Sequence, residues 1–153
     1  MLCINIRKAR KTTMNRRQER EEAFLMLFEA EFAPEKTSEK IYEDAKDARE
    51  VEESAYIRTV LDGVREHRAE LDALIDSHSH GWKRNRLSGV ARAVILLAAY
   101  EMLYMPDVPP RVSLNEAVEL MKKYDEDKAR VFVNGVLNAI SHDESVLSGR
   151  ESL

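Results

Sequence analysis

Apolar side chains recur along this chain at three- and four-residue intervals, the period of a buried helical face and not the alternation of a strand. Asn15 stands before the first such run with Gln18 three positions on, the spacing of a capping box. Ala23, Phe24, Leu27, Phe28, Ala30 and Phe32 then continue as one buried face until Pro34 ends the helix. Thr37 or Ser38 caps a second, more polar helix reaching about Arg49, with Ile41, Tyr42 and Ala45 as its thin stripe. Ser54 opens a third, in which Ile57, Val60, Leu61, Val64, Leu71, Leu74 and Ile75 keep helical spacing across Gly63. A glycine inside a helix costs about 1 kcal/mol against alanine, so close approach of another helix is the expected reason for Gly63.

The stretch "SHSHGWKRNR" interrupts the pattern, and Trp82 within it is expected to plug the junction of the third and fourth helices. Ser88 caps the fourth, "GVARAVILLAAYEML", which is apolar on most sides and is predicted to be the central helix of the core. "PDVPP" forbids its continuation. "SLNE", Ser113 to Glu116, reads as the capping box of a fifth helix through Lys123. A sixth starts at Asp125 or Asp127 and carries Phe132, Val133, Val136, Leu137 and Ile140 as its seam. Asn134 and Gly135, poor helix formers in mid-helix, are read as packing devices on that core face. Residues from His142 onward are polar and expected to fray.

The fold class that follows is all-α: a single domain of six or seven helices in two packed subbundles around Val90 to Leu103. Its expected boundaries are residues 14–141, with a basic extension at 1–13 and a polar tail at 142–153. At 153 residues with 44% hydrophobic content, such a domain needs neither disulfide nor metal to stabilise its core.

Charge changes the picture. Residues 1–20 hold seven Lys/Arg against one acid and the remainder 17 against 27, so a local +6 sits beside −10 within a net charge of −4. A basic arm on an acidic body is drawn to polyanions through the arm alone. Arg16, Arg17 and Arg20 lie in the first turn and a half of the first helix, where each exposed cation opposes the macrodipole by roughly 0.3–1 kcal/mol. Stability favours acids there, so phosphate contact competes with a salt-bridged surface formed with Glu19, Glu21 and Glu22 as the reason for the arginines. Met14 directly precedes the helix, which makes residues 1–13 an upstream extension and Met14 the expected initiator, a reading that the intact mass of native protein tests.

Other chemistry is thin. The lone Cys3 suits a reducing compartment, and no run approaches the roughly 18 apolar residues that span a bilayer, so a soluble cytoplasmic protein is expected. His78 and His80 form an H-x-H pair with only Asp76 as a nearby carboxylate, which favours an interhelical loop over a metal site. No nucleophile elbow, phosphate-binding glycine loop or cysteine with a partner base is present, so neither an enzyme nor a bound cofactor is expected.

Taken in order, "RRQEREEAFLMLFE", "GWKRNRLSGVARAVILLAAYEML", "DVPPRVSLNEAVELMKKY" and "FVNGVLNAI" resemble the NusB family of bacterial transcription antitermination factors over about Asn15 to Ile140. The resemblance implies a non-catalytic helical protein that pairs with NusE, a small-subunit ribosomal protein. The pair binds single-stranded boxA RNA in ribosomal RNA leaders and joins the RNA polymerase antitermination complex. It places RNA contacts on Arg16, Arg17, Arg20 and Lys128, and partner contacts on Phe28 and Arg92. The chain departs from the family pattern at Ala91, where relatives carry an acid, at Leu96, where they carry arginine, and at "YDEDKAR", where a glycine-containing turn is usual. Alternatives are a helical protein adaptor, a ribosome-assembly factor on the same transcripts, a homodimer that hides the RNA surface, and the helical domain of a ribosomal RNA methyltransferase, which requires a further α/β domain.

Overall fold

The computed structural model describes residues 14–79 and 87–153, and the expectations placed on residues 1–13, His80 and Trp82 lie outside them. Among the described residues every regular element is a helix, and there are eight. They are α1 (Arg16–Phe32), α2 (Ser38–Arg49), α3 (Ala55–Glu66), α4 (Arg68–Ser77), α5 (Gly89–Tyr104), α6 (Pro110–Tyr124), α7 (Asp127–Ser141) and α8 (Glu144–Glu151). The chain divides into two compact units, Met1–Asp62 and Gly63–Leu153.

In the first unit α1 starts as its sequence predicts. The Gln18 amide donates to Asn15 Oδ1 at 2.8 Å and the Asn15 amide donates to Gln18 Oε1 at 2.9 Å, which closes the capping box. Thr37 caps α2 by accepting from the Lys40 amide at 3.1 Å. Beyond α2 the chain turns through Glu50 in the left-handed region, at φ 55°, and the Tyr42 hydroxyl fixes the segment that follows. That hydroxyl donates to the Glu52 carbonyl and accepts from the Ser54 amide, both at 2.8 Å. Ser54 in turn accepts from the Ile57 amide at 3.2 Å, capping α3. Ala23, Phe24, Met26 and Leu27 of α1 are buried, but Phe32 is 70% exposed, so the apolar face of α1 ends a turn earlier than its spacing predicts.

The second unit is built on α5, whose residues from Ala93 to Met102 are all buried and which contacts α4, α6, α7 and α8. Ser88 caps it, accepting from the Ala91 amide at 3.0 Å. Four local predictions are corrected here. The expected third helix is two, because the backbone leaves helical geometry at His67 (φ −102°, ψ 19°) between α3 and α4. The fifth begins at Pro110, not at Ser113: a proline at the first helical position has no amide to satisfy and a preset φ. Ser113 is consequently a turn inside α6 and buried, where its hydroxyl donates to the fully buried Glu101 carboxylate at 2.7 Å. Asn134 and Gly135 face away from the α7 seam, both are exposed, and nothing stands within 4 Å of a Cβ built on Gly135. Finally, the tail does not fray after His142. It forms α8, capped by Asp143 and anchored by buried Val146 and Arg150. Gly63 meets its expectation, since a Cβ there would overlap the Tyr100 ring.

Candidate nucleic-acid interface

Three arginines open α1, and the structure treats them differently. Arg16 and Arg17 are exposed, whereas Arg20 is 6% exposed. The Arg16 guanidinium carbon lies 4.3 Å from the centroid of the Tyr56 ring and that of Arg20 lies 5.8 Å from it, so one aromatic residue at the start of α3 gathers both cations. Such a contact contributes about 0.5–1 kcal/mol at an exposed site, the same order as the macrodipole cost of a cation at a helix start. Two of the three acids expected beside the arginines, Glu19 and Glu22, also hold other groups. Glu19 accepts from the Ser54 hydroxyl, and Glu22 accepts from Arg49 Nε at 2.8 Å.

The later basic residues of this unit, from Lys36 to Arg58, are tied to carboxylates. Lys36 donates to Glu29 at 3.2 Å and to Asp44 at 3.0 Å, and Lys40 reaches Asp44 at 3.1 Å. Lys46 reaches Glu53 at 2.6 Å, and Arg58 pairs with Glu39 at 2.7 Å and with Glu53. The Arg58 guanidinium and then the Lys46 ammonium hold the Glu53 carboxyl down at about 2. These solvated pairs link α2 to α1 through Lys36 and to α3 through Arg58, and they carry little net charge to a ligand.

Of the other predicted positions, Phe28 is half-buried on α1, its ring edge-on to Phe32 at a centroid distance of 4.9 Å. With the exposed Phe32 it makes an aromatic pair. Arg92 and Lys128 belong to the second unit: Arg92 is half-buried in the first turn of α5, and Lys128 is exposed in the first turn of α7. Ala91 and Leu96 are 0% and 1% exposed, so neither departure from the family pattern alters a surface side chain of this chain.

The H-x-H reading loses its exposed loop at His78, which is half-buried. Its Nε2 lies 2.9 Å from Asp143 Oδ2 and its Nδ1 2.8 Å from the Leu74 carbonyl, so it ties the end of α4 to the start of α8. No group of three or more potential metal ligands occurs among the described residues, and no helix there is long and apolar enough to cross a membrane.

Tyr56 and Phe32 were missed by sequence reasoning. Tyr56 follows the Ser54 cap by two residues and reads as one more apolar position at a helix start. Phe32 fits the buried period of α1, and nothing in that spacing says where the covering surface stops.

The NusB family model matches residues 17–142. The transcription antitermination protein NusB of Bacillus subtilis is 43% identical over 130 residues, covering 85% of this chain and 97% of its own. That of Agathobacter rectalis is 46% identical over 127 residues, covering 81% and 97%. Among solved structures, NusB of T. maritima superposes with a TM-score of 0.77 at 30% identity, over 89% of this chain and 99% of its own. A complex of the antitermination factors NusB and NusE with double-stranded RNA gives 0.73 at 27% identity, over 84% and 98%. This chain belongs to the NusB family.

Proposed function

We propose that this chain pairs with a NusE-type ribosomal protein, and that the pair holds single-stranded boxA RNA in nascent ribosomal RNA leaders so that RNA polymerase passes terminators. Family membership makes it a binding protein and not an enzyme. A related structure is the NusB and NusE complex with double-stranded RNA, which supports NusE and an RNA as the classes of partner. The observation that carries the RNA reading is the start of α1, where Arg16 and Arg17 are exposed and Arg16 rests on an aromatic ring.

In this reading Arg16 and Arg17 contact phosphates directly, Arg20 adds its field from beneath, and Lys128 supplies a further phosphate contact. Phe28, extended by Phe32, contacts the protein partner, and Arg92 of the second unit supplies a partner contact of its own. Base preference comes from unstacked bases held across the combined surface. The proposed location is the cytoplasm, where nascent leader transcripts are found.

Binding of a labelled boxA-type RNA and of a scrambled one, with and without NusE and at several salt concentrations, tests this. Arg16→Ala combined with Arg17→Ala is expected to lower boxA affinity at least tenfold at low salt. The same variant should flatten the log–log salt slope by roughly 1.4, at about 0.7 per lost phosphate contact on single-stranded RNA. Phe28→Ala with Phe32→Ser is expected to abolish the gain from NusE while leaving binding of RNA alone intact. Unchanged affinity in the arginine variant removes α1 from the RNA surface.

A further inference from the structure

We propose that the cleft between α4, the end of α5 and α8 docks a basic amphipathic segment of a protein partner, which places an apolar side chain in the cleft and a lysine or arginine against Glu70. None of the residues assigned above to RNA or NusE lines this cleft, and the inference does not depend on that assignment.

The cleft lies within the second unit and has a volume of about 460 Å³, inside the range of roughly 300–1,000 Å³ common to ligand pockets. Leu74 of α4, Leu103 and Tyr104 of α5, and Val146 and Gly149 of α8 give it a mainly apolar lining, and Glu70 is the charged group among the described residues that line it. α8 stands beyond residues 17–142, which match the family model, so that match assigns nothing to a cleft that α8 completes.

Gly149 keeps the cleft open. A glycine within a helix costs about 1 kcal/mol against alanine. Gly149 is exposed and nothing stands within 4 Å of a Cβ built on it, so packing inside this chain does not explain it. The wall it belongs to is held in advance. Asp143 caps α8 and its Oδ2 lies 2.9 Å from His78 Nε2, while Arg150 binds the Met102 carbonyl at 2.7 Å. A wall fixed before the partner arrives removes an ordering cost from binding.

Charge decides the class of partner. α4 and α8 carry Glu70, Asp76, Glu144 and Glu151 at exposed positions, whereas their arginines are committed, Arg68 to Asp72 at 3.1 Å and Arg150 to backbone carbonyls. Phosphates are repelled from such a surface and a cationic peptide is drawn to it. Glu70 is the point of contact. Its side chain is 67% exposed, the Tyr104 hydroxyl donates to it, and His67 Nδ1 lies 3.5 Å away. A carboxylate accepts at several sites, so one hydroxyl fixes it and leaves room for a lysine or arginine. An apolar anchor seated beside such a pair is the arrangement by which grooves recognise amphipathic segments.

Amide shifts of the isotope-labelled protein, titrated with a synthetic amphipathic peptide of leucine and lysine, test the proposal. Saturable shifts centred on Leu74, Leu103, Val146 and Gly149 are expected. Gly149→Leu fills the cleft and should abolish saturable binding, while its gain in helix propensity keeps circular dichroism and thermal melting at or above those of the parent. Glu70→Gln still accepts from Tyr104 and is expected to weaken binding about two- to fivefold, the worth of a solvated ion pair.

Shifts that spread over the acidic surface and persist in Gly149→Leu overturn the proposal. Equal affinity for a peptide with glutamate in place of lysine, or with serine in place of leucine, overturns it as well, since one half of the recognition is then idle. A boxA-type RNA is expected to leave the cleft amides unmoved. If that RNA shifts them, the cleft belongs to nucleic acid and the proposal fails.

Discussion

Gly63 and Gly135 both interrupt apolar helical runs, and at the residue scale they make opposite demands. Gly63 gives its place to the Tyr100 ring, whereas Gly135 faces open space with nothing within 4 Å of an added Cβ. Gly63→Ala is therefore expected to destabilise the second unit by about 1–3 kcal/mol through overpacking. Gly135→Ala should stabilise it by about 0.5–1 kcal/mol, the helix-propensity gain with no steric cost. Urea unfolding of the two variants checks the pair, and equal shifts would contradict the assigned environments. The two glycines look alike in sequence because composition reports what a residue lacks and not what stands beside it. The same blindness hid Phe32, whose exposure no spacing on α1 could reveal.

Among the elements, α8 departs furthest from its sequence expectation, and one side chain explains it. Arg150 Nη1 donates to the carbonyls of Glu101 at 3.1 Å and Met102 at 2.7 Å, and its Nη2 donates to those of Pro106 at 3.0 Å and Val108 at 2.6 Å. These carbonyls belong to the end of α5 and the proline-rich turn after it: the Glu101 carbonyl also accepts from the Met105 amide at 3.0 Å, the Met102 carbonyl has a proline without an N–H four residues on, and the macrodipole at this helix end favours a cation. Burial lowers the Arg150 pKa. Arg150→Met preserves the stem but strands the carbonyls, and is expected to cost about 2 kcal/mol of second-unit stability. Thermal melting and amide exchange at the end of α5 read it; melting unchanged from the parent protein would mean that water replaces the guanidinium at no cost. Periodicity could not find α8, because its anchor is a charged residue at one end and a single valine. The predicted cap at Ser113 failed for a related reason, as the motif fits a helix start but the hydroxyl is required by a carboxylate on another helix.

At the scale of the whole molecule, several carboxyls are held below their ordinary range. Glu53 sits at about 2 through Arg58 and Lys46, Asp44 is lowered by Lys36 and Lys40, and Asp143 by Ser145 and then His78. A depressed folded-state pKa contributes stability that is present above the unfolded value and is lost as pH falls through the folded value. Stability should thus decline as pH drops from the ordinary 4.5 of a glutamate toward about 2, and Glu53→Gln should flatten that decline. Urea midpoints measured across that interval check it, and an undiminished slope in the variant counts against the ion-pair network as its source. By itself the sequence determined the helical class, the capped starts of α1, α2, α3 and α5, the central place of α5, and the arginine cluster, because each follows from local periodicity, capping chemistry or charge counted along the chain. Only the tertiary structure decided which of those arginines is accessible, that Tyr56 gathers two of them, that Ser113 and Arg150 serve buried polar groups, and that Asn134 and Gly135 face outward. Those are matters of which distant residue fills the space beside a side chain, and a one-dimensional pattern specifies the face of an element without specifying what lies against it.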